Sequence, residues 1–120
     1  VGAESLAKAL ASSSTLKSLE LARTGLCLAG AQKLARALER NRALRVLDLA
    51  DAGLGERGCA RVAAALRTNR VLETVGLAGN QAGDFGAEVW AGVLAKNKAI
   101  KALDLARNEV GNRGAGALAV

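Results

Sequence analysis

Histidine, proline, methionine and tyrosine are all missing from this 120-residue chain, and tryptophan and phenylalanine occur once each. Losing histidine removes the commonest general base and metal ligand, which excludes the usual catalytic triads and most zinc sites. Losing proline leaves few forced exits from strand or helix. The two cysteines, Cys27 and Cys59, form no cluster with carboxylates at metal-ligand spacing. No metal, cofactor or catalytic residue is therefore expected. No apolar run approaches ~20 residues, so nothing is long enough to cross a bilayer as a helix. No signal peptide is evident either, although the chain opens on Val1 rather than Met.

What is present is a pattern of period 28. Leu16, Leu44, Leu72 and Ile100 open four copies of L-x-x-L-x-L-x-x-N-x-L without insertion or deletion. The copies are filled by Leu16/Leu19/Leu21/Leu26, Leu44/Leu47/Leu49/Leu54, Leu72/Val75/Leu77/Ala82 and Ile100/Leu103/Leu105/Val110. Such regularity means that each unit buries its apolar side against its neighbours, so the repeat decides the fold ahead of local propensity. The L-x-L tripeptide has period two and predicts short strands near 17–21, 45–49, 73–77 and 101–105. Gly2, Gly30, Gly58, Gly86 and Gly114 then open segments with apolar residues four apart, Leu34/Leu38, Val62/Leu66 and Trp90/Leu94 among them, which is one face of a helix. Strands separated by helices must run parallel. The expected fold is an α/β solenoid, a curved right-handed horseshoe segment with a parallel sheet on the concave face and helices on the convex face.

The consensus N-x-x-L-x-x-L-x-L-A-x-N-x-x-G-x-x-G-A-x-x-L-A-x-A-L, clearest from Asn97 to Leu118, resembles the ribonuclease-inhibitor class of leucine-rich repeats. Similar units occur in nucleotide-binding leucine-rich-repeat immune receptors, Ran GTPase activators and axonemal scaffolds. The resemblance covers essentially the whole chain, which reads as one domain over 1–120, a stretch of a longer solenoid. It implies that the asparagine of each turn bonds the backbone of adjacent coils. Asn80 and Asn108 hold that position, whereas Thr24 and Ala52 do not. The first two turns should be held more loosely, since each missing buried bond is worth roughly 1 kcal/mol.

Several residues invite a chemical reading and a plainer one. Cys59 takes a phase filled elsewhere by alanine, so a buried core thiol is expected; Cys27 shares the phase of Gly55, Gly83 and Gly111 and should be partly exposed. Unpaired cysteines at unrelated phases fit a reducing compartment, cytosol or nucleus. Asp48 and Asp104 stand at equivalent strand phases with Gly76 between them, about 10 Å apart across two strand spacings. Solvated strand residues are the better reading than a catalytic pair. The glycines around Gly83 and Gly86 recur in every unit and lack the lysine and hydroxyl of a phosphate loop.

Surface is what remains. Lys17, Glu20, Arg23, Arg45, Asp48, Asp51, Glu73, Lys101, Asp104 and Arg107 are expected on the concave face, with Arg23, Arg45 and Arg107 as the obvious anchors. Trp90 should be an oversized core residue, and Phe85, at a phase shared with Arg57 and Arg113, is a candidate exposed aromatic contact that either covers the start of its own helix or marks an edge of the solenoid. The net charge of +6 is concentrated at helix ends, in Arg40 and Arg42, Arg67 and Arg70, and Lys96 and Lys98. Those cations either complement helix dipoles or form a stripe for an acidic partner. Nucleic acid is disfavoured, because no stacking aromatics accompany the charge. The functional expectation is a non-enzymatic protein–protein interaction scaffold in the cytoplasm, nucleus or cilium, within a larger protein or assembly. The resemblance also implies two alternatives, a GTPase-activating module and the sensing domain of an immune receptor. Uncapped ends leaving Leu6, Leu10 and Leu118 partly uncovered are expected to promote self-association.

Overall fold

A computed structural model describes residue 10, residues 14–108 and residue 111. Strands and helices alternate as β1 (Ser18–Glu20), α1 (Cys27–Arg40), β2 (Val46–Asp48), α2 (Gly55–Ala65), β3 (Thr74–Gly76), α3 (Gly83–Lys96) and β4 (Ala102–Asp104). The four strands form one parallel sheet in sequence order, with Leu19, Leu47, Val75 and Leu103 side by side in register. Each strand is shorter than its expected span. Coil-to-coil bonding nevertheless continues past the strand ends, with Arg45 N donating to Lys17 O (2.8 Å), Leu21 N to Asp48 O (2.8 Å) and Arg23 N to Ala50 O (2.8 Å), and the equivalent bonds repeat one coil on.

The leucines that set the period are the core. Leu44, Leu47, Leu49, Leu66, Leu72 and Leu77 are fully buried between sheet and helices, beside Leu34, Leu38, Leu54, Val62 and Val93. Burying each such side chain contributes about 1.5–3 kcal/mol. Trp90 fills the space between α2 and α3 as expected, and its indole N–H is satisfied by Cys59 O at 3.1 Å. Helices lie about 8–10 Å apart, nearly twice the strand spacing of about 4.8 Å. That difference is what bends the stack toward its sheet.

Two asparagine ladders staple coil to coil. In the first, Asn80 Nδ2 donates to Leu49 O (2.7 Å) while its Oδ1 accepts from Ala52 N and Leu54 N; Asn108 repeats this with Leu77 O, Asn80 N and Ala82 N. At Thr24 only a local bond remains, from its hydroxyl to Leu21 O (2.7 Å). The second ladder runs along the turns that follow the helices. Asn41, Asn69 and Asn97 donate to Leu10 O, Leu38 O and Leu66 O (2.7–2.8 Å), and their Oδ1 atoms accept from the amides two and three residues on. All five asparagines are 0–2 % exposed, and no buried side-chain N or O lacks a partner among the described residues.

One expectation about the ends is corrected. Leu10 is 1 % exposed, enclosed by the same core as α1, and its carbonyl is held by Asn41. Leu6 and Leu118 lie outside the described residues. Among the described residues of the first coil the exposed leucine is instead Leu16, at 37 %, just before strand β1.

Candidate protein-binding face

The parallel register turns the concave face into rows that cross the coils. Outward residues of the strands form the row Ser18, Val46, Thr74, Ala102 and the row Glu20, Asp48, Gly76, Asp104. Just before them, Lys17, Arg45, Glu73 and Lys101 are joined through successive N–H···O bonds of 2.7–2.8 Å. Just after them, Arg23, Asp51, Gly79 and Arg107 all have φ between 52° and 69°. The rows bring together all ten of the residues predicted for this face.

The charges within it are not equally available. Glu73 bonds Arg45 Nη1 at 2.8 Å and lies 3.8 Å from Lys101 Nζ, so one carboxylate holds two cations from the neighbouring coils. Arg107 reaches across an entire coil to Asp51, at 3.2 and 3.4 Å. That reach passes over Gly79, where an added Cβ would collide with the Asp51 carboxylate and stand 3.1 Å from Arg107 Nη1. Arg45 and Arg107 are therefore engaged within the sheet rather than standing as free anchors. Lys17, Glu20 and Arg23, on the β1 side, are exposed and form no ion pair among the described residues.

Asp48 and Asp104 do not face each other as a pair. Each folds onto its own turn, Asp48 Oδ1 accepting from Ala50 N (3.0 Å) and Asp104 Oδ1 from Ala106 N (2.9 Å), which is the behaviour of a turn-stabilising carboxylate. Among the described residues no group of three or more His, Cys, Asp or Glu could hold a metal ion. Cys59 is fully buried, and burial pushes its thiol up to about 12. Cys27 is exposed, and neither cysteine is in a disulfide.

Val46 is the residue that the sequence pattern undervalued. It sits in the middle of the concave face at 39 % exposure, the one large apolar side chain among the outward strand residues, and the only signal for it was a β-branched residue at an outward phase. Phe85, near the start of its helix, is 45 % exposed. With Leu28, Gln32, Arg57, Ala60, Arg61 and Ala64 it lines an open groove of about 330 Å³ on the helical layer, away from the sheet.

Comparison with known proteins agrees with this architecture. Residues 96–119 match a family model described as Leucine Rich repeat. No curated protein matches in sequence. Among solved structures, the tropomodulin C-terminal domain of Caenorhabditis elegans superposes with a TM-score of 0.86 at 12 % identity, over 98 % of this chain and 74 % of that one. A structure titled Leiomodin-1 Actin-Binding Site 2 gives 0.85 at 15 % identity, over 94 % of this chain and 68 % of that one. Identities that low carry the fold alone. No helix among the described residues is long and apolar enough to cross a membrane. The chain has the α/β leucine-rich-repeat fold, built from four parallel strands and three intervening helices among its described residues.

Proposed function

We propose that this chain is a non-catalytic protein-binding module of a larger protein or assembly, and that it docks its partner on the β1–β2 side of the concave face. The observation that carries the reading is how the charges of that face divide: Glu73 ties up Arg45 and Lys101, and Asp51 ties up Arg107, while Lys17, Glu20 and Arg23 on the β1 coil form no ion pairs among the described residues and Val46 stands exposed on the adjacent strand. An exposed apolar side chain with unpaired charges on the adjacent coil has the anatomy of a recognition patch. The free thiols of Cys27 and Cys59 suit a reducing, intracellular setting. One structural neighbour is titled as an actin-binding site, which makes actin the first partner to offer.

A photo-crosslinking residue placed in turn at Lys17, Glu20 and Val46, and as a comparison at Gln32 on the helical layer, tests the docking face. With actin filaments, and then with cell extract, the sheet positions should give defined adducts and Gln32 should not. Adducts from Gln32 alone would sink the proposal. Stimulated nucleotide hydrolysis by small GTPases in the presence of the chain would replace it with the GTPase-activating alternative.

A further inference from the structure

The cations at the helix ends share one edge of the solenoid. Asn41, Asn69 and Asn97 are aligned there by their own hydrogen bonds, Asn69 Nδ2 donating to Asn41 O (3.1 Å) and Asn97 Nδ2 to Asn69 O (2.9 Å). Beside each asparagine stands a cation, so Arg42, Arg70 and Lys98 form a row with one member per coil. Arg40, Arg67 and Lys96 lie within the preceding three residues of each coil, and all six are exposed. Across 36–42, 64–70 and 92–98 the one carboxylate is Glu39, and it is paired with Arg61 at 3.7 Å.

Helix dipoles account for part of this charge. Arg42 Nη1 donates to Glu39 O (2.9 Å) and Asn41 O (3.2 Å), and Arg70 Nη1 to Lys96 O (3.2 Å). Three helix C-termini supply roughly −1.5 in total, at about half a charge each. Against six formal cations most of the positive charge is left over. Between two of these ends, Arg67, Arg70 and Lys96 surround a cavity of about 500 Å³ completed by Gly92, Val93 and Asn97. Tethering Nη1 fixes the Arg70 fork beside it and leaves its other N–H groups to grip a carboxylate.

We infer that this edge binds an extended acidic segment of a partner protein, laid across the coils with one carboxylate side chain in the Arg67/Arg70/Lys96 cavity and its neighbours near Arg42 and Lys98. The spacing fits: same-side residues of an extended peptide recur at about 6.8 Å. Coils at this edge sit between the strand spacing of about 4.8 Å and the helix spacing of about 8–10 Å. Nucleic acid lacks its second requirement here, since Trp90 is buried and Phe85 lies on the helical layer, so no aromatic ring meets a base. This surface is separate from the sheet face and stands or falls without it.

The probe is a fluorescein-labelled oligo-glutamate peptide titrated with the 120-residue chain and followed by anisotropy. Binding should be salt-sensitive, and Arg67→Ser/Lys96→Ser should weaken it about tenfold, the combined effect of losing two charge contacts. Lys33→Ser/Arg57→Ser removes the same formal charge elsewhere and should change it by less than about twofold. Independently, the peptide should shift the backbone amide resonances of Gly92, Val93 and Asn97 in the unmutated chain. Equal losses in both double variants, shifts confined to residues 17–23, no binding at low salt, or tighter binding of oligothymidylate than of oligo-glutamate would each overturn the inference. Crosslinking failure at the concave face would leave these readouts untouched.

Discussion

At the residue scale the two cysteines behave as opposites because their phases do. Cys27 occupies a position where Gly55 and Gly83 have φ of 71° and 64°, and it adopts 59° itself, a conformation that costs a residue with a Cβ roughly 1–2 kcal/mol. Cys27→Gly should therefore stabilise the fold by up to about 1 kcal/mol, the larger entropy of an unfolded glycine offsetting the rest; a denaturant titration in which the midpoint fell would contradict this. Cys59 is fully buried, so a thiol reagent applied to the native chain should modify Cys27 alone. Its raised pKa also has a sign. The folded state holds the Cys59 proton more tightly than the unfolded state, whose value is 9.0, so the contribution is intact below pH 9 and is lost as pH climbs toward about 12. Stability should drop by at most about 1.4 kcal/mol per pH unit in that window, and Cys59→Ala should flatten the drop, which thermal melts between pH 8 and pH 11 would show.

At the element scale the asparagine ladders explain which parts of the fold were legible beforehand. Strands, helices and the in-register row Leu19, Leu47, Val75, Leu103 all follow from a period that any one unit would only hint at. The bonding of Asn80 and Asn108 was implied by the repeat resemblance. The equal role of Asn41, Asn69 and Asn97 was not drawn from the consensus, although asparagine heads it, because a polar residue after a helix reads as a solvated turn until its burial is known. The ion pairs of the concave face were hidden for a different reason: Arg107 and Asp51 are 56 residues apart, and only the absence of a side chain at Gly79 lets them meet. Ala52 shows what a missing rung is worth. Its position matches Asn80, and Ala52→Asn would offer Nδ2 to Leu21 O, the carbonyl equivalent to the Leu49 O that Asn80 holds. A gain of about 1–2 kcal/mol is expected. Asn69→Ala should cost about 2–4 kcal/mol, since it orphans the amides of Val71 and Leu72 and the carbonyl of Leu38 at once. Urea midpoints of the two variants should move in opposite directions.

At the scale of the whole molecule, stability is distributed rather than uniform, because among the described residues strands and helices pack only with their neighbours in the stack, the Arg107–Asp51 pair alone skipping a coil. The inner coils around β2 and β3 bury their inward strand residues completely, with Leu47 at 0 % and Val75 at 1 % exposure. The flanking strands bury theirs incompletely, Leu19 and Leu103 being only half-buried. The first turn also lacks the asparagine staple that Asn80 and Asn108 give to later ones. Native-state amide exchange should accordingly be slowest at Leu49 and Leu77, whose N–H groups donate to Gly76 O (2.7 Å) and Asp104 O (2.9 Å), and faster at Leu21 and Arg23 although their bonds to Asp48 O and Ala50 O are as short at 2.8 Å. Length of the bond is not what protects an amide; the free energy needed to peel away its coil is. Ala52→Asn adds its rung between the first and second coils and should slow exchange at Leu21 and Arg23 more than at Leu77. Uniform protection across all four strands would mean that the stack opens as one cooperative body, and the nearest-neighbour account of this solenoid would fail.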